Sequence, residues 1–351
     1  MMWLTEPPPY DVGRAPLVRP VRIDPLGRAG PTRAQARGPR WRRTGQGFYV
    51  PADVDATLPA QRILEASHDL RGSQSVTGWA ALHWHGAFWL DGFDAPGRPA
   101  PVKIAVVHGS RRPQLGVEVT SEFIPPKERQ TVGGLQVVSP RCAVAFEMRY
   151  APTPVAAVRA FDMAAAADLV SRAELLDYFE QLYHWTGIPG ARDAGLLVDE
   201  NAWSPPEVDA RLVWPLELGH APPLTNRPLF DRSGRHIGTP DLLDLNAGLV
   251  VEYEGALHLA GVRRAKDLVR EDAFRKVGLE YLTLVSADRA DRSRMALRVA
   301  AALDRSPYLP REECAWTIEP PPWWLPTHTV ELRRALSPEQ RERFLGYRRT
   351  A

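Results

Sequence analysis

The sequence predicts an α/β chain, α+β overall, in which a mixed sheet flanked by helices follows an amino-terminal α+β module. Three observations carry that prediction. Residues 238–258 read GTPDLLDLNAGLVVEYEGALH, two short apolar strands joined by a turn at Asn246-Ala247-Gly248, with acidic residues on both strands. Around this hairpin, from Pro206 to Asp304, the order is helix, three strands, helix, strand, helix. Such a run joins an antiparallel hairpin to a helical crossover, which implies a mixed sheet with helices against it. Ahead of it, residues 46–189 alternate short strand and helix patterns without an internal repeat.

A chain of 351 residues should hold two or three domains. Hydrophobic content of 44% supplies packed cores, and a formal net charge of +2 argues against a chain that binds polyanions by bulk charge alone. Cys142 and Cys314 are too few and too far apart for a disulfide framework or a zinc site, which fits a reducing, cytoplasmic location. No signal peptide and no long apolar run is seen, so no membrane partner is expected.

Residues 1–43 hold nine arginines, three acidic residues and many prolines with no strand or helix period, and are expected to form a disordered or extended arm. Residues 44–190 form the first module. Within it Gly45–Pro51 reads as a turn and strand, Pro59–Leu70 as a helix, and Gln74–Trp89 as a second helix starting near Ser75. Strands are expected at 101–108, 117–123 and 135–138, and helices at 155–167 and 172–186. Trp79, Trp84 and Trp89 lie near His83 and His85; residues two apart on a helix diverge, so the aromatic run reads as core rather than as a ligand pair. Glu147 and Asp162, beside apolar runs, read as capping or as pairing with Arg141, Arg149 or Arg159 rather than as catalytic acids.

Residues 200–306 form the second module. Pro206 suits the first turn of a helix, Glu207 then favours its positive end, and Pro215 ends or kinks it. Asp231-Arg232-Ser233-Gly234 is a turn, Val262–Lys276 a charged helix, Leu279–Val285 a buried strand and Arg292–Asp304 an amphipathic helix. Residues 307–351 form a Pro/Trp-rich tail with a short helix, its Trp323-Trp324 pair expected to fold back onto the chain's own surface.

Acidic residues are depleted in strands, so the hairpin's carboxylates need a reason. A turn centred between Asn246 and Ala247 sets Asp241 opposite Glu252, with Cβ atoms ~4.5–5.5 Å apart. Glu254 shares the face of Glu252. Three carboxylates on one patch raise one another's pKa unless a divalent cation intervenes, and hard oxygen ligands suit Mg2+ or Mn2+. The alternative is a solvated acidic face, and a one-residue bulge at the turn would separate Asp241 from Glu252.

Glu207, Pro240-Asp241, Glu252-Tyr253-Glu254-Gly255 and His258, in this order, resemble the PD-(D/E)xK nuclease fold, and within it the very-short-patch-repair-like endonucleases. The likeness spans residues 204–306. It departs at Glu254, where that family has Asp and the wider superfamily Lys. In residues 46–189, Arg42–Pro51 and Thr77-Gly78-Trp79-Ala80-Ala81-Leu82, then His85-Gly86, resemble AbiEi-type antitoxins. Arg42–Pro51 corresponds there to the wing, and the helices that precede it are replaced by the Pro-rich segment, a degenerate winged-helix-like start.

These resemblances imply a restriction-endonuclease-like sheet and metal-assisted hydrolysis of DNA phosphodiesters. Asp241, Glu252 and Glu254 would be the metal set and Glu207 an orienting acid. His258 would be the general base, or Lys266 the missing positive charge, with Arg263, Arg264 and Arg270 on phosphate. The implied setting is a defence or toxin–antitoxin system with DNA, and a toxin or other defence component, as partner. Two further readings remain open: a non-catalytic DNA-binding antitoxin or transcriptional regulator on the same scaffold, and a protein-interaction module.

Overall fold

The computed structural model describes residues 17–95, 97–106, 111, 114–254 and 262–346, with the side chains of 95 and 262–267 outside that description. The fold is mixed α/β, and the chain divides into two compact units, residues 1–151 with 174–188 and residues 152–173 with 189–351. Helix Pro154–Ala166, which the sequence reading put in the first module, therefore belongs to the second unit.

In the first unit, β1 (Val21–Arg22), β2 (Trp41–Gly45) and β3 (Phe48–Pro51) form an antiparallel sheet in the order β1-β3-β2. This corrects the expectation of an unstructured arm over 1–43 for its described part. Val21 pairs with Tyr49, and Gln61 on α1 (Pro59–Ser67) holds both backbone groups of Val18. Then come β4 (Ser75–Val76), α2 (Gly78–His85), β5 (Phe93–Ala95), β6 (Arg98–Pro99), β7 (Val102–Ala105), β8 (Val117–Thr120), β9 (Arg129–Val132), β10 (Leu135–Val138) and α3 (Pro140–Arg149). Strands order as β8-β7-β4-β10-β9 in a mixed sheet.

The single helix expected over 74–89 is instead a strand followed by a helix. Thr77 is extended and Gly78 takes φ +62°, so the backbone turns there; a Cβ on Gly78 would stand 2.2 Å from Glu147 Oε1. Trp79 and Trp84 are buried as expected, whereas Trp89 is exposed. His83 Nδ1 and His85 Nε2 bond to the carbonyls of Leu90 and Val138. Glu147 accepts from Trp79 N and pairs with Lys103. Helix α3 and strand β9 are additions the sequence pattern did not reveal.

The second unit begins with α4 (Pro154–Ala166). Helices α5 (Arg172–Gln181) and α6 (Ile188–Gly195) carry the chain across the boundary between units. Next are α7 (Pro205–Arg211), a π-turn at Trp214–Leu218 around Pro215, β11 (Leu224–Thr225), β12 (Leu229–Asp231), β13 (His236–Gly238), β14 (Leu242–Asp244), β15 (Leu249–Glu254), α8 (Val262–Lys276), β16 (Glu280–Val285), α9 (Ser286–Arg289) and α10 (Arg292–Arg305). β17 (Trp316–Thr317), α11 (Val330–Arg334) and α12 (Pro338–Leu345) complete it.

Four strands form the central sheet in the order β11-β14-β15-β16; β14 is antiparallel to β11 and β15, and β16 is parallel to β15. A parallel neighbour requires a crossover, and α8 supplies it. Alternate residues of β15 serve opposite faces. Leu249 and Val251 pack with Val213, Trp214, Met295 and Val299 from α10 and the segment after α7. Val250 packs on the other face with Leu243, Phe274 of α8 and Trp316 of β17. Burying each such aliphatic side chain contributes about 1.5–3 kcal/mol, so the acidic residues interspersed among them sit on a rigid support.

Candidate functional site

The hairpin fixes the site. Asp244 Oδ1 accepts from the N–H groups of Asn246 and Ala247, Gly248 N donates to Asp244 O, and Gly248 takes φ +74°, where glycine has no Cβ to clash. The resulting register pairs Asp244 with Leu249, Leu243 with Val250 and Leu242 with Val251, without a bulge. This is the register the turn predicted, and the ladder ends one step short of Asp241 and Glu252. Asp241 has left the strand, and its Oδ2 accepts from Tyr253 N at 2.8 Å.

Glu252 is buried on the α8 side of the sheet, and its Oε1 lies 3.0 Å from Arg270 Nη2. Arg270 also donates to Thr239 O. An arginine expected on phosphate is thus committed in part to a carboxylate. The rest of the described basic face of α8 is similarly paired: Arg275 with Glu271 and Lys276 with Asp272. Glu254 ends β15, half-buried, on the face of Glu252.

Glu207 comes from α7. Prolines at 205 and 206 start the helix, and Glu207 folds back over that first turn to accept from Trp203 N at 2.8 Å and Ser204 Oγ at 2.7 Å. Asn226 Nδ2 donates to it at 2.7 Å, and Asn226 N donates to Asp241 O at 3.0 Å. Asn226 sits at φ +45°, a conformation Asn tolerates, and Asn201 secures it: its Nδ2 donates to Asn226 O, and its carbonyl accepts from Asn226 Nδ2. Sequence reading missed this asparagine; an Asn just past a strand end is only a weak turn signal. Burial first, and then the charge of Asp241, push the Glu207 carboxyl up to about 8, against the pull of its three donors. Two acids therefore compete for ionisation in one buried place.

Glu207, Asp241 and Arg270 line a cavity of about 690 Å3 whose other walls include His236, Trp323 and Trp324. The tail does fold back as expected, with Trp324 stacked on His236 at 4.9 Å. His258 lies outside the described residues, as do the side chains of Arg263, Arg264 and Lys266. Among the described residues no three His, Cys, Asp or Glu side chains gather closely enough to hold a metal ion. The acids here present oxygen atoms only; Arg270 offsets the charge of Glu252, and the three donors to Glu207 are neutral.

Asp162, expected to cap or to pair with Arg141, Arg149 or Arg159, pairs instead with Arg211 at 2.7 Å, and burial pushes its pKa up to about 7. Cys142 and Cys314 are both free and buried. No described helix is long and apolar enough to cross a membrane. Comparison of the chain with family models, with curated proteins and with solved structures gives no match to any of them.

Proposed function

We propose that the second unit is a divalent-metal-dependent endonuclease of the PD-(D/E)xK type, acting on DNA. The observation that carries this reading is Asp241, one residue beyond a bulge-free hairpin whose register runs toward Glu252, at a cavity where Asp241 opposes the ionisation of Glu207. The order of α7, the β11-β14-β15-β16 sheet and the α8 crossover supports the same reading.

Asp241 and Glu252 would hold Mg2+ or Mn2+, with Glu254 as a further ligand directly or through water. When bound, the ion polarises the scissile phosphate and acidifies a water. The chain's own residues do the rest. Glu207 holds or gives up a proton close to neutral pH, within reach of Asp241. Asn226 fixes both acids at once, one by its side chain and the other by its backbone N–H. Arg270, released from Glu252, would meet a phosphate oxygen. His258 and Lys266 remain candidates for proton transfer and charge. The β2–β3 hairpin of the first unit stands where the resemblance to AbiEi-type antitoxins expects a wing, and a toxin or other defence component would then be a partner.

Purified protein is expected to nick supercoiled plasmid with Mg2+ or Mn2+ and to stop in chelator. Asp241→Ala should lower the rate at least ~100-fold, the scale on which groups that stabilise transition-state charge act. The Arg270–Glu252 pair favours a second reading, a DNA-binding regulator on a silent scaffold. Salt-sensitive retardation of DNA with no nicking under any metal would decide for it.

A further inference from the structure

The wall of the cavity facing the carboxylates is aromatic, and hydrolysis does not require that. Trp324 stacks on His236 and meets Phe230 and Phe344 edge-on at 5.2 and 5.8 Å. Trp323 stands against Trp324 at 5.7 Å and 68°, meets Phe230 at 6.3 Å, and stays 50% exposed at the cavity wall. Lining the same cavity, Arg343, an exposed cation, lies over the Phe344 ring at 5.0 Å.

This wall is built, not a loose end laid over the sheet. Arg333 of α11 is fully buried and donates to Asp168 Oδ1 at 2.5 Å, to Ala165 O at 2.7 Å and to Thr327 O at 3.0 Å. Arg341 of α12 takes the other oxygen, Asp168 Oδ2, at 2.5 Å. One carboxylate thus clamps both tail helices, which follow the indole pair in sequence, and α12 sets Phe344 against Trp324.

An open indole and a cation lining one cavity with two acids match the parts of a nucleotide: a flat base, a phosphate and the bond to be cut. Every base offers a π face, and a base out of its stack can reach a pocket that a duplex cannot. Resting on the nuclease reading of this cavity, we propose that Trp323, backed by Trp324, is a stacking platform for one unstacked base of a DNA strand, with Arg343 meeting the adjoining phosphate.

The test is fluorescence anisotropy of a labelled twelve-residue oligothymidylate with the full chain in chelator, so that no cleavage is needed. Trp323→Ala and Trp323→Leu should weaken binding roughly tenfold, the scale of base–aromatic stacking, while Trp323→Phe retains most of it. Leu keeps apolar bulk and loses only the π face, so it separates stacking from misfolding. An unlabelled duplex of the same length should compete less well than the single strand. Equal affinity for the Leu variant and the parent overturns the platform, as does preference for duplex or saturation by an apolar peptide in place of DNA. A platform that persists in a protein unable to nick plasmid sinks the hydrolytic reading alone; nicking with a Trp-independent affinity sinks the platform alone.

Discussion

Two carboxylates of the second unit, Asp168 and Glu207, are both withdrawn from water and are treated in opposite ways. Asp168 meets an arginine at each oxygen, Arg333 at one and Arg341 at the other. Glu207 meets only neutral donors, Trp203 N, Ser204 Oγ and Asn226 Nδ2, and has a second acid, Asp241, close enough to oppose its charge. Desolvation penalises both anions; only one has countercharges to offset it. Burial of an acid therefore does not mark a site by itself. What distinguishes the Glu207 cluster is burial with the compensating charge left out, an arrangement that folding alone does not favour and that a proton or a bound cation would relieve.

The largest effect expected from this contrast falls on the closed cluster. Asp168→Ala removes the countercharge of Arg333, which has no exposed surface, and of Arg341 with it. Leaving a buried charge without its partner costs about 3–5 kcal/mol. Urea unfolding should show that loss, with Asp168→Ala/Arg333→Met recovering part of it, because the orphaned charge goes too. A loss below ~1 kcal/mol would mean that the tail is held by its apolar contacts and that Asp168 is no clamp.

Neither cluster was equally open to sequence reading. The Glu207 side was legible in part because its signals are local: two prolines ahead of Glu207 announce a helix start, and Asn246-Ala247-Gly248 sets the register that runs toward Asp241 and Glu252. The Asp168 clamp joins residues 165 and 173 positions apart, and no local pattern ties an aspartate at a helix end to two arginines of a Pro-rich tail. Asp168 sits at φ +59°, closing α4 where glycine is usual, with its N–H on Ala165 O and that of Leu169 on Ala164 O. In the first unit the same blindness produced the error at Gly78, which takes a positive φ and packs against Glu147, 69 positions away in sequence, with no room for a Cβ. The arm over 1–43 misled differently: its composition resembles disorder, yet Val21–Arg22 gains a strand partner in β3.

The next effect is on pH dependence. The Glu207 carboxyl is held above its ordinary value, to about 8, so the native state keeps a proton that the unfolded chain has released. Stability from this group is fully present below the unfolded value of ~4.3 and is lost as pH rises through the folded one. Glu207→Gln cannot ionise and removes that slope. Relative to the parent, the variant should gain on the order of 1–3 kcal/mol between pH 5 and pH 8.5, read as the difference between two urea series so that other titrating groups cancel. Parallel series would show that Glu207 is ionised throughout, and the contrast with Asp168 would fail.

The smallest effect is the one that most sharpens the contrast, because Arg270 forms an ion pair with an acid of the open cluster. It is 38% exposed, so its pair with Glu252 at 3.0 Å is screened, and Arg270→Gln should change stability by no more than ~1 kcal/mol. Its consequence for metal binding has a definite sign. Arg270 and a divalent ion need the same Glu252 oxygens, so removing the arginine removes a competitor, and Mn2+ affinity measured by calorimetry should rise a few-fold even as affinity for DNA falls. If Arg270 instead holds Glu252 in position as a ligand, the substitution would weaken Mn2+ binding. In that case the arginine closes this cluster as Arg333 and Arg341 close the other, and the regulator reading is the one that stands.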